Sequence, residues 1–162
     1  MALEYVVDPT PAQRSIVAFL RQQYAHVPVI PDGMLDAEND ETTPAEERLK
    51  FHPNGTVWPF IVLRFGSARR SDRGRSMAFE KLDAHESSVV VVVVSRNGTE
   101  CRELLNAVGN TLIGWKPENA GGIVKGKQIW EPSIATLDDK NKPVRWASSD
   151  RFHFGIQHNH TI

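Results

Sequence analysis

A chain of 162 residues is long enough for one domain that buries roughly two thirds of the surface its unfolded form exposes. With 40% hydrophobic and 24% charged residues it is not a disordered polymer, and a formal net charge of -1 excludes a whole-molecule field that would draw in nucleic acid or an anionic membrane. The single cysteine, Cys101, excludes an internal disulfide framework and any cysteine-based zinc cluster, and suits a reducing compartment.

The opening "MALEYVVDPTPAQ" has no basic segment followed by a long apolar run, so no secretory signal is expected and the protein reads as cytoplasmic where it is made. A first helix is predicted over 10–25, with Thr10 as cap, Pro11 at the first helical position and Gln13 completing a capping box. Ile16, Phe19, Leu20 and Tyr24 fall on its packed face, leaving Arg14 and Arg21 in water. Pro28 and Pro31 stop it and leave "VPVI" as a short extended segment.

From Asp32 to Gly55 the chain reads as a long solvated loop or arm, carrying Asp36, Glu38, Asp40, Glu41, Glu46 and Glu47. Within it, "TPAEERL" predicts one or two helical turns capped by Thr43. "TVWPFIVLRFG", residues 56–66, is strand-like, with Pro59 marking an edge or a strand start. "SARRSDRGR", residues 67–75, reads as an exposed basic loop holding Arg69, Arg70, Arg73 and Arg75. The following "SMAFEKLDAHESS" reads as a backward extension of the next strand.

That strand, Val89 to Val94, is all β-branched and too short for a helix, so it is predicted to be the centre of the sheet with both faces covered. At six residues it is only about a third of the roughly 20 that a membrane helix needs. Asn97 and Glu100 stand at capping-box spacing, and Cys101, Leu104, Leu105, Val108 and Leu112 form the stripe of a second helix ending near Gly114, laid across the valines. The other valine face is left for a neighbouring subunit, the economical cover, or for a loop of the same chain. Residues 115–162 read as β segments: "KQIWEPSIATL", a turn at Asp138 to Pro143, "VRWASS", and "DRFHFGIQHNH", whose Phe152, Phe154 and Ile156 alternate with a wet face. The fold class is therefore α+β, with two main helices on one face of a mostly antiparallel, twisted sheet.

No pattern assembles a reactive site. Cys101 at a helix start is a candidate thiol, but its place on the apolar stripe favours the core. His153, His158 and His160 invite a metal, yet no Asp, Glu or Cys accompanies them at ligand spacing and a solvent-exposed tail is the plainer reading. "ENAGGIVKGK" lacks phosphate-loop spacing and reads as a surface loop. The Asn-x-Thr triplets at Asn54, Asn97 and Asn159 read as turn chemistry. "ARRSDRGR" is a solvated loop or a grip for an acidic protein surface, with nucleic acid as a further reading; no aromatic residues interleave to stack bases. No enzyme activity, cofactor or metal is expected. The acidic stretch Asp36 to Glu47 and the basic stretch Arg64 to Arg75 are candidate halves of a subunit contact, with Asp36, Glu38, Asp40 and Glu41 meeting Arg69, Arg70, Arg73 and Arg75 of the next copy in a ring.

The order of parts, from the amino-terminal helix through "VPVIPDG", the acidic loop, "PFIVLRFG", the valine strand and the helix ending "LIGW" to the terminal β segments, resembles the tail terminator proteins of long-tailed, siphovirus-type bacteriophages. The likeness is one of layout and length over most of the chain, and it carries no site residue with it. It implies a structural virion protein: a hexameric ring of this chain that caps the finished tail tube and ends its polymerisation. Its partners would be the tail tube protein and the head-tail connector or stopper protein, with DNA only passing through the lumen. Such a protein is assembled in the host cytoplasm, ends at the head-proximal end of the tail and touches no membrane. Another head-tail joining protein, or a small nucleic-acid- or metal-binding module, is the alternative.

Overall fold

The computed structural model describes residues 5–6, 8–33, 41–70, 85–126, 133–140, 142–156 and 159–160. In chain order the elements are β1 (Tyr5–Val6), α1 (Thr10–Gln23), β2 (Val29–Pro31), a single 3-10 turn (Ala45–Glu47), β3 (Phe60–Phe65), β4 (Arg69–Arg70), β5 (His85–Ser95), α2 (Gly98–Leu112), β6 (Thr136–Asp138), β7 (Arg145–Ile156) and β8 (Asn159–His160). The main sheet runs β2-β3-β5-β7-β6, with β4 beside β5 and β1 pairing β8 separately. Only β2 and β3 are parallel; the remaining pairs are antiparallel, so the sheet is mixed but mostly antiparallel and the fold is α+β.

The valine strand stands at the centre, between β3 and β7, as its sequence requires. Because side chains alternate, Val89, Val91 and Val93 point to one face and Val90, Val92 and Val94 to the other. On the first face they meet Ile61 and Leu63 of β3 and Phe152, Phe154 and Ile156 of β7. Both helices cover this layer, α1 through Ala12, Ile16 and Leu20 and α2 through Leu105, Val108 and Leu112. Burial of each large side chain stabilises by about 1.5–3 kcal/mol, which makes the α2 stripe the anchor of the helix across β5 and β7. The helices are also joined to each other and to the following loop: the Tyr24 and Thr111 hydroxyls lie 2.9 Å apart, and Phe19 stacks on Trp115 at 4.0 Å.

The opposite face answers the question of what covers the remaining valines. Val92 and Val94 pack with Ile30, Phe60 and Val62 beneath Leu49 and Val57, which belong to the same chain. No second subunit is required there, contrary to the economical expectation. The covering segment is held by an antiparallel bridge between Phe51 and Val57 and by Asn54, whose carboxamide oxygen accepts from the Thr56 amide (3.1 Å) and hydroxyl (2.6 Å). The Asn54 triplet is thus turn chemistry. Cover ends at Val90, which is half-buried.

Several local expectations are corrected. Thr10 does not cap α1: Pro9 occupies the N-cap without a side-chain bond, and Asp8 accepts from the Thr10 amide at 3.0 Å instead. At the 3-10 turn the N-cap position is held by Pro44, not by Thr43. At α2 the Asn97 side chain accepts from the Glu100 amide at 2.8 Å, while the Glu100 carboxylate takes the Ser95 hydroxyl and the Arg96 guanidinium rather than completing the box. The helix ends at Leu112, and Gly114 takes a left-handed φ of 88° that favours glycine. "VRWASS" and "DRFHFG" form one continuous strand, β7, and "ENAGGIVK" is no free surface loop: Ala120 and Val124 are buried, and residues 120 and 125 bridge to Ile156 and His153.

Candidate functional site

Beyond Val90 the outer face of the sheet changes character. Arg64 stands opposite Val90, and Val90 opposite Arg151, so one row across β3, β5 and β7 reads Arg-Val-Arg. The next row begins with Gly66, whose amide donates to the Ser88 carbonyl at 2.8 Å, continues through Ser88 and His153, and ends at Lys125. Lys125 and His153 exchange amide-to-carbonyl bonds of 2.8 and 2.9 Å, and residues paired in this way project to the same side. A third row carries Arg69, Glu86 and Gly155.

These rows form the floor and rim of an open groove of about 550 Å³, lined chiefly by Gly66, Arg69, Glu86, Ser88, Arg151 and His153. Gly66 keeps it open, because a β-carbon there would lie 2.7 Å from the Ser88 hydroxyl. The face around the groove is predominantly cationic. Arg64, Lys125 and Arg151 are exposed, and none has an ion-pair partner among the described residues. Glu86 is engaged by Arg69 at 3.5 Å, and Asp32 at the β2 edge accepts from the Phe65 amide at 3.3 Å. Side-by-side guanidinium, ammonium, imidazole and hydroxyl groups on a rigid sheet suit an oxyanion.

The residues singled out from sequence fare unequally. Arg69 lies in β4, paired with β5, and its side chain is 77% exposed; Arg70 follows it in β4, opposite His85. The first part of the basic loop is therefore a short strand. Glu41 is exposed ahead of the 3-10 turn, which the Arg21–Glu47 ion pair (3.3 Å) ties to α1, and within the chain Arg69 lies 3.5 Å from Glu86. Asp36, Glu38, Asp40, Arg73 and Arg75 lie outside the described residues, as does His158. His153 faces the groove, and no metal-binding group of His, Cys, Asp and Glu occurs among the described residues. Cys101 is buried; its thiol donates to the Trp146 carbonyl at 3.1 Å, and burial pushes it up to about 11, far from the range of a reactive thiolate.

Sequence reading reached Arg64, Arg69 and the wet face of β7 but not the groove. Arg151, Ser88 and Lys125 meet only through strand register, and the sole signal was the polar alternation in "DRFHFG". Among the described residues no helix is long and apolar enough to cross a membrane. No protein-family model matches the chain, and no curated protein matches it.

Proposed function

We propose that the chain is a structural virion protein of a long-tailed bacteriophage, a ring-forming tail terminator that caps the tail tube and joins it to the head connector. The observation that carries the reading is the architecture itself: a central strand with an unbroken run of six valines, roofed on one face by two helices, in the element order that the resemblance rests on. Its surface supports association. Ile134, Leu137 and Val144 are exposed around β6, a three-residue edge strand whose outer side has no partner strand among the described residues. An exposed apolar edge of this kind is a liability in a monomer and an asset in an assembly. The acidic stretch 36–47 and the basic stretch 64–75 supply two different charged patches, which a head-to-tail ring can match.

Native mass measurement with electron microscopy tests this. Annuli with a central hole, in the free protein or on added tail tubes, are the expected result. A protein that stays monomeric and leaves tube length unchanged at saturating concentration overturns it. Neutralising Arg69, Arg70, Arg73 and Arg75 together is expected to weaken assembly at low salt, where exposed charges are least screened.

A further inference from the structure

We infer that the outer face of the sheet around Arg64, Lys125 and Arg151 binds the phosphate backbone of nucleic acid. The inference does not depend on the ring reading. Three observations carry it. First, the cations are dispersed over a flat, rigid surface instead of being spent on neighbours: Arg64 on β3, Arg151 on β7 and Lys125 on the adjoining segment are exposed, and no ion pair engages them among the described residues. Second, this part of the face lacks what a protein partner uses. Protein interfaces centre on desolvated aromatic or aliphatic anchors with charge at the rim, whereas here charge occupies the centre and Val90 is the only large aliphatic side chain between the arginines.

Third, the dimensions fit. Neighbouring strands lie about 4.8 Å apart, so the path from β3 through β5 and β7 to Lys125 covers about 14 Å. Duplex DNA carries one charge per about 3.4 Å of helix axis on each strand, so the path matches about four base pairs of duplex length, enough for its three cations to meet up to three phosphates. The Ser88 hydroxyl and the His153 imidazole lie between the cations and add hydrogen-bonding groups at the groove floor. No Phe, Tyr or Trp stands in these rows to form a stacking platform, so the contact is to backbone and independent of sequence.

The test is fluorescence anisotropy of a labelled random-sequence duplex titrated with the full chain over 50 to 200 mM salt. With three phosphates neutralised, the logarithm of affinity is expected to fall with a slope of about -2.7 against the logarithm of salt, a loss of about fortyfold over that range. The Arg64→Ser/Lys125→Ser/Arg151→Ser variant is expected to lose at least tenfold in affinity at 50 mM, with the slope falling towards zero and the circular dichroism unchanged. Arg64→Lys/Arg151→Lys, which keeps the charge, is expected to retain binding. The inference is overturned if the wild type does not bind at 50 mM salt or if the triple serine variant binds as well as wild type. It is equally overturned if binding is lost in Arg70→Ser/Arg73→Ser/Arg75→Ser instead, or if polyglutamate displaces the duplex as well as unlabelled duplex does at equal charge, which would point to an acidic protein.

Discussion

Two titratable side chains show how local surroundings set chemistry. Asp8 is solvent-exposed, yet the hydrogen bond from the Thr10 amide holds its carboxyl below the usual 3.8. A carboxylate depressed in the folded state stabilises it at neutral pH, and that contribution disappears as pH falls below 3.8 and through the lowered value. Proton titration of Asp8 by NMR is expected to give a midpoint below that of an unstructured peptide, and Thr10→Pro, which removes the donor, to restore it. Cys101 has the opposite sign. Its thiol is raised by burial to about 11 from 9.0, so stability present below pH 9 is lost as pH rises through about 11, because the unfolded chain releases the proton first. Ellman's reagent is expected to leave Cys101 unmodified in the native protein at pH 8 and to react completely in urea; rapid native reaction would contradict its burial.

The two helices divide the labour of their starts differently. Asn97→Ala removes a side chain that accepts from the Glu100 amide, and a destabilisation of about 1 kcal/mol is expected in urea unfolding. Thr10→Ala is expected to fall within about 0.5 kcal/mol of wild type, because its hydroxyl caps nothing at α1. Leu112→Ala empties a fully buried position of α2 and is expected to cost about 2–5 kcal/mol. The α2 stripe and the valine strand were legible because each is a periodic pattern whose meaning is independent of what lies elsewhere. The Thr10 cap fails because the helix begins one residue earlier: the Gln13 amide that a Thr10 side chain would serve donates to the Pro9 carbonyl at 3.0 Å, a matter of local geometry and not of residue type. The joining of "VRWASS" to "DRFHFG" was hidden because the polar run Ser148 to Arg151 looks like a turn; in the fold it continues opposite Val93 to Val90. The groove was out of reach for the related reason that Ser88 and His153, 65 positions apart, become neighbours only when β5 and β7 pair.

At the scale of the whole molecule, the outer face is graded along the strands: apolar and roofed by residues 49–57 at one end, charged and open at the other. Folding and encounter are thereby separated. Leu137→Lys, on the open side of β6, is expected to leave the urea midpoint within about 0.5 kcal/mol of wild type while blocking self-association in sedimentation velocity. The six-valine tract adds a last consequence. A homopolymer has no preferred alignment of its own, since sliding it by two positions presents an identical face to each neighbour. Alignment must come from its boundaries, where Ser87 donates to the Gly66 carbonyl at 2.8 Å and Ser95 binds Glu100. These hydroxyls act as end-stops, and replacing both with valine would lengthen the tract into a ruler without marks.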